Sequence, residues 1–189
     1  MSKFFPIIVF FIGGILLSTT AHADNRTAQA LIPTKSKILF GIEGSPLALS
    51  GGFRTYSGSL ERGKSFGDSV IAFAVDLSKV RLDPAFGGLD MVSFEPLFQK
   101  IPDPVGRFRS SKITAQQGNQ FQVTGIWERG KKQQQVQFPV IVTASTAQET
   151  RLKARIIQRI EKWDNSIPLP IKPGQSEGNI YGELLFRAR

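Results

Sequence analysis

Along most of the chain apolar residues recur at every second position, the period of a half-buried strand. In residues 37–43, Ile38, Phe40 and Ile42 share one side. Gly44, Ser45 and Pro46 break that run. Residues 47–61 then read as a long strand, in which Gly51-Gly52 predicts a bulge or sharp bend and Gly58 a second one. After a turn at 62–65, residues 69–78 set Ile71, Phe73, Val75 and Leu77 on one face. Further strands are predicted over 107–114 and 120–128, the latter with Phe121, Val123, Gly125 and Trp127 in phase. A turn at 129–132 leads into 135–144, where Val136, Phe138, Val140 and Val142 alternate with other residues. Pro139 has no backbone donor, which favours an edge or bulged position. Residues 178–189 place Ile180, Gly182, Leu184, Phe186 and Ala188 together. Seven or eight strands joined by turns describe a sandwich or a barrel.

Two stretches depart from this rhythm. Leu89, Val92, Phe94, Leu97 and Phe98 have a mixed spacing that predicts one short helix near 90–99, closed by Pro102 and Pro104. Residues 150–163 fit two patterns. As a helix they carry a stripe of Leu152, Ile156, Ile160 and Trp163 among five cations, the make-up of a membrane-surface helix. As a strand they turn Leu152, Ala154, Ile156 and Ile160 inward and Arg151, Lys153, Arg155 and Arg159 outward. Periodicity leaves both open.

The first 23 residues read as an address. Lys3 precedes an apolar run over residues 4–17, and Ala21-His22-Ala23 supplies the small residues of a cleavage site. Fourteen residues rise only about 21 Å as a helix, short of the ~30 Å hydrocarbon core of a bilayer. We therefore expect cleavage near Ala23 and a periplasmic or secreted protein. The expected domain plan is a signal peptide over 1–23, a flexible lead-in over 24–35 and one folded domain over 36–189.

Charge and composition then narrow the chemistry. The chain has no cysteine, and its one histidine, His22, would leave with the leader. Thiolate or imidazole catalysis, disulfides and the usual transition-metal sites are thereby excluded from the expected mature chain. A paired-carboxylate site is the chemistry left, with Asp68, Asp76, Asp83, Asp90, Glu95 and Asp103 as candidates. Asp83-Pro84 and Pro102-Asp103-Pro104 read as turns, so we expect no enzyme, and no cofactor or metal. The formal charge of +9 falls to +8 without Lys3, which favours anionic head-groups as a partner surface. No basic-aromatic motif for nucleic acid is present, and we expect no such partner. Homodimer formation is left open by an edge at Pro139 and by a Tyr181–Leu185 face expected to be exposed.

The order of several short pieces carries a resemblance. Ile38-Leu39-Phe40-Gly41-Ile42 is followed by Leu49-Ser50-Gly51-Gly52-Phe53-Arg54-Thr55-Tyr56-Ser57-Gly58, then by residues 69–77 and 89–98. Phe108-Arg109-Ser110, Val123-Thr124-Gly125, Val136-Gln137-Phe138-Pro139-Val140, Ile157-Gln158-Arg159 and a final apolar strand come after. This pattern resembles the YceI-like family of exported polyisoprenoid-binding proteins over residues 36–189. The resemblance implies an all-β fold, an eight-stranded antiparallel lipocalin-like barrel with a short helical insert, holding a polyisoprenoid or other long-chain lipid. It makes 150–163 a strand and matches Arg159 to an arginine that family members carry. The family often has a histidine-containing segment after its first strand, which is absent here.

Candidate ligand-binding residues follow. Phe40, Phe73, Phe121, Phe138 and Phe186 lie on the inward phase, as does Trp127. The resemblance adds Phe53 and Phe108 as lining residues by position, and Phe94 and Phe98 on the insert as caps of the mouth. Tyr56 and Arg159 are candidates for a polar head-group. The competing expectation is a basic peripheral envelope protein with a filled core and no small ligand.

Overall fold

The computed structural model describes residues 26–43, 49–83, 95–159 and 177–188. The segment expected to be a leader (1–23), Phe94 and the end of the ambiguous segment (160–163) lie outside the described residues. Eleven strand segments form one antiparallel sheet: β1 (Thr27–Leu31), β2 (Lys37–Glu43), β3 (Leu49–Phe53), β4 (Tyr56–Arg62), β5 (Val70–Asp76), β6 (Val80–Leu82), β7 (Val105–Ala115), β8 (Gln120–Arg129), β9 (Lys132–Ser145), β10 (Glu149–Arg159) and β11 (Glu177–Ala188). A short helix, α1 (Glu95–Gln99), precedes β7.

These segments amount to eight strands. β1 and β2 are halves of one strand, interrupted by the 3-10 turn Pro33–Lys35, because β1 runs along β4 while β2 runs along β3. β3 and β4 are halves of a second strand, interrupted at Arg54-Thr55, and β5 and β6 are halves of a third that runs along both. The chain then meanders from β7 to β11, each strand beside the last. β11 closes the circle by pairing with β1 at Gln29↔Ala188 and with β2 at Ile180↔Phe40. The result is a closed, eight-stranded, up-and-down barrel of the lipocalin-like kind, with very little helix.

Four details differ from expectation or resolve it. The barrel begins at Thr27, so most of the lead-in is structural, not flexible. Gln29 and Leu31 take the inward phase there, and Gln29 is buried, its amide donating to the carbonyls of Thr146 and Ala147 at 3.3 and 3.2 Å. A buried glutamine is invisible to a reading based on apolar alternation. The bend predicted at Gly51-Gly52 lies instead at Arg54-Thr55, between β3 and β4. Gly51 serves close approach: a Cβ there would stand 2.4 Å from the carbonyl oxygen of Arg81 on β6. The ambiguous segment is a strand through Arg159, in register with β11 from Glu149↔Arg187 to Arg159↔Glu177. Its misfit residue, Ile157, is left exposed. Finally, Leu185 is buried: the backbone N–H of Ile32 donates to its carbonyl and its own N–H donates to Ser36 Oγ. The face expected to be open for dimer formation is thus closed at that end by the chain linking β1 to β2.

Pro139 also has a readable place. The turn after β8 has Gly130 at φ +54° in its first central position, which identifies a two-residue hairpin of type II′. In such a hairpin the flanking pair, Arg129↔Lys132, exchanges backbone hydrogen bonds, and so does every second pair beyond it. Counting in twos, Pro139 belongs to the set that faces β10. The β9–β10 ladder ends one residue away, at Val140↔Ala154. Past that point β9 keeps only β8 and β10 keeps only β11, so the two strands part where a donor is missing.

On the outer surface, three neighbouring strands share one ionic row. Glu183 of β11 accepts a hydrogen bond from the Tyr181 hydroxyl at 2.6 Å and pairs with Lys37 of β2 at 3.0 Å and Lys153 of β10 at 3.4 Å. The Tyr181 hydrogen bond first, and then the two ammonium groups, lower its pKa from 4.5 to about 2. Glu149 is lowered by hydrogen bonds from Arg187 and Arg151, and Asp68 by those from Ser65. Each carboxyl is a stronger acid folded than unfolded, so its contribution is present above its ordinary pKa and is lost as pH falls toward the folded value. Urea midpoints are expected to stay level from neutrality to about pH 5 and to fall from there to about pH 2, with a shallower fall in Glu183→Gln. A profile level down to pH 2, or one unchanged by that substitution, would contradict this account.

Candidate functional site

The interior holds two apolar clusters. The smaller lies between α1 and the β2–β3–β6 wall and contains Phe40, Ile42, Val80, Leu82, Phe98 and Ile101. The larger fills the barrel proper, and Phe53 and Ile180 touch both. One end of the barrel is packed solid: Phe66 on the turn after β4 meets Phe121 at 4.7 Å between ring centres, with Leu60, Val123 and Phe186 almost fully buried nearby in the cluster.

Toward the other end the packing opens into a cavity of about 590 Å³. Its wall is apolar over most of its extent, with Ile71, Val140, Leu152 and Leu184 deep and Leu77, Ile156 and Ile180 farther out. An aromatic tier crosses it. Phe108 stacks on Phe73 at 5.1 Å and leans on Phe138 at 5.2 Å, and Phe73 meets Trp127 at 6.1 Å. Glycines make room for two of these rings. A Cβ at Gly125 would lie 2.6 Å from the Phe108 ring, and one at Gly106 would collide with the Trp127 indole. Gly182 is different: its Cβ would meet only Leu184 at ordinary contact distance, because the position faces the cavity.

The structure brings together five of the candidates from the sequence, Phe53, Phe73, Phe108, Trp127 and Phe138, on the cavity wall. Phe40 and Phe98 face each other at 6.2 Å in the smaller cluster. Phe121 and Phe186 belong to the packed end. The Tyr56 hydroxyl donates to the backbone carbonyl of Ser36 at 2.5 Å, with that of Pro33 at 3.2 Å, and burial raises its pKa. It thereby ties β4 to the turn inside the β1–β2 strand. Arg159 ends β10 opposite Glu177, and its side chain, like Phe94, is outside the described residues.

Four polar lining residues went unselected by sequence: Arg129, Lys132, Gln133 and Gln134, all at the β8–β9 hairpin. The signal was present, since Arg129 continues the Phe121–Trp127 phase and Lys132 and Gln134 continue the Val136–Val142 phase. The barrel interior is therefore not a filled core, which removes that part of the competing expectation.

No family model matches the sequence, and no curated protein matches it either. Solved structures do match. BcnA of Burkholderia cenocepacia superposes with a TM-score of 0.62 at 19% identity, covering 82% of this chain and 98% of that one. A polyisoprenoid binding domain from Saccharophagus degradans, implicated in plant cell wall breakdown, gives 0.58 at 13% identity, with 86% and 99% covered. A Campylobacter jejuni YCEI protein gives 0.54 at 10% identity, with 74% and 84% covered. At these identities the likeness is one of fold: the chain has the barrel fold of YceI proteins.

Proposed function

We propose that this protein is an exported binding protein, not a catalyst, and that it holds an isoprenoid or related long apolar chain inside the barrel for carriage or storage in the cell envelope. The observation that carries the reading is the 590 Å³ apolar cavity. Its size falls among ligand pockets, typically ~300–1,000 Å³. Engineered apolar cavities of about 150 Å³ already destabilise their hosts by several kcal/mol, so a space this large favours an occupant. An apolar chain suits the wall, because each buried methylene contributes ~0.8 kcal/mol. Ordering the chain offsets part of that gain. A structural neighbour described as a polyisoprenoid binding domain supports the same ligand class, and the leader pattern of residues 1–23 supports export.

An anionic membrane surface is the second partner in this proposal. The outer face of β10, β11 and β2 carries exposed Leu39 and Ile157 beside Lys37, Lys153 and Arg155. Lys37 and Lys153 share Glu183, and Arg151 and Arg187 share Glu149, so each carboxylate leaves one cation in excess.

The test is native mass spectrometry of protein isolated from the envelope fraction, followed by unfolding and lipid extraction. We expect a bound mass in the prenyl or long-chain lipid range, released on unfolding. Uptake of a labelled neutral isoprenoid by delipidated protein should be insensitive to salt, because apolar burial is little screened. Protein that carries no lipid and takes up none would overturn the reading.

A further inference from the structure

One seam of the barrel is unpaired where the cavity lies behind it. The β9–β10 ladder runs from Thr150↔Ser145 to Ala154↔Val140 and stops. If its register continued, Arg155 would stand opposite Pro139 and Ile157 opposite Gln137. Pro139 supplies no donor there, and no ladder pair follows it, although β9 extends back to Lys132 and β10 on to Arg159. The inward residues just beyond the break, Val136 and Gln134 on β9 and Ile156 on β10, line the cavity. Two further observations bring the cavity to the seam itself. Lys132, Gln133, Gln134 and Gln135 are all exposed, although side chains of a strand alternate between its faces and a closed wall would cover every second one. Gln133 takes the outward phase, yet it borders the cavity together with Lys132 and Gln134. β8 occupies one edge of β9 through Glu128↔Gln133, so the cavity reaches Gln133 round the other edge, the one toward β10. A second unpaired edge, that of β6, is covered: Phe98 of α1 and Ile101 are buried with Val80 and Leu82.

We propose that the β9–β10 seam is the route by which the apolar chain enters and leaves the cavity, sideways through the barrel wall and not along the barrel axis. This rests on the chain-binding reading of the cavity. Parting β8 from β9, or β10 from β11, would break ladder hydrogen bonds along the whole of both strands, whereas parting the seam beyond Val140 breaks no ladder pair. The outer lips carry exposed Ile141, at the last paired levels, and exposed Ile157 beyond them. A chain that crosses there moves from one apolar surface to another, so its methylenes need not be hydrated on the way. A slit also admits a flexible chain along its length, whereas an axial mouth requires it to be threaded from one end.

A tether across the lips tests this. The chain has no cysteine, so thiols introduced by Gln137→Cys and Ile157→Cys, both at exposed positions, are unique. A short bis-maleimide joins them, and mass spectrometry confirms the closure. Radiolabelled geranylgeraniol is then exchanged between neutral phosphatidylcholine vesicles and the delipidated protein. Uptake and release should both slow ~10-fold or more in the tethered protein, with affinity unchanged, because the tether lies outside the cavity. The same tether across a paired neighbour, Thr124→Cys/Gln137→Cys, should leave both rates as they are in the unmodified protein. Pro139→Val supplies the missing donor and should slow exchange in the same way, while the Ile157 amide gains protection from hydrogen exchange. Unchanged rates in the tethered protein, or a Pro139→Val protein that protects Ile157 without slowing exchange, would point to an axial route and overturn the seam while leaving the cavity reading intact. So would an Ile157 amide as well protected in the unmodified protein as that of Lys153, which is paired with Ile141. Failure of the unmodified protein to take up geranylgeraniol would overturn the cavity reading itself.

Discussion

Gly182→Trp should abolish chain binding, by about a hundredfold or more, in a barrel that still folds. The position lies on the inward phase of β11, between Ile38 on β2 and Ala154 on β10. A Cβ added there meets only Leu184, at 3.7 Å, so the first atom of a new side chain costs no clash. The backbone is ordinary strand, and replacing glycine within a strand removes an entropic penalty of about 0.5–1 kcal/mol. Everything beyond Cβ projects into the cavity. An indole there takes the volume that several methylenes of ligand would occupy, each contributing ~0.8 kcal/mol when buried. The urea midpoint should hold or rise while uptake of labelled isoprenoid disappears. Gly182→Leu should give an intermediate loss. Unchanged uptake by a folded Gly182→Trp protein would place the ligand somewhere other than the barrel interior.

Phe186→Ala should produce the opposite pattern, a large loss of stability without a change in the cavity wall. Phe186 is fully buried and sits opposite Leu31 of β1 and Thr150 of β10, where the barrel closes. Truncating a buried phenylalanine costs about 3–5 kcal/mol, a large share of the ~5–15 kcal/mol that keeps a domain folded. Phe186 lies within the buried cluster at the β1–β11 closure, so the hole left by truncation opens beside that pairing. Urea unfolding measures the loss directly. A change below about 1 kcal/mol would mean that the closure tolerates the hole, contrary to the normal cost of such cavities.

Much of the fold was legible because its strands obey one rule. Ile71, Phe73 and Val75 on β5 and Val136, Phe138 and Val140 on β9 alternate cleanly, and their inward side follows from period alone. Where the rule is carried by polar or small residues, the reading stopped early. Gln29 starts the barrel, but an amide inside a core gives no hydrophobic signal. Arg129 and Lys132 keep the phase of their strands, yet their charge and the adjacent Gly130 made the stretch read as solvent-exposed turn. The glycines misled for a related reason. Gly51 and Gly125 were expected to mark bends or fill positions in a pattern, whereas each makes room for a group on a neighbouring strand: the Arg81 carbonyl for one, the Phe108 ring for the other. Such clearance depends on which strands become neighbours, which local sequence does not state. Periodicity brought Phe73, Trp127 and Phe138 to the cavity wall and the family resemblance added Phe53 and Phe108, but the same periodicity also selected Phe40, Phe121 and Phe186, which do not line it. Phase tells inside from outside and does not tell depth along the barrel.

The joining of the first and last strands sets a constraint on how the molecule comes into being. Gln29 and Ala188 are partners from opposite ends of the chain, so their pairing is among the most non-local contacts the sequence allows. Loop-closure entropy makes such contacts late and slow to form. Synthesis proceeds from the N-terminus, so among the strands of the barrel β11 is delivered last. Until it arrives, the nascent sheet has two bare edges, along β1–β2 and along β10, each a template for pairing with another chain. The interval before closure is therefore the period of greatest aggregation risk, and a lipid offered during it would meet an open trough instead of a mouth.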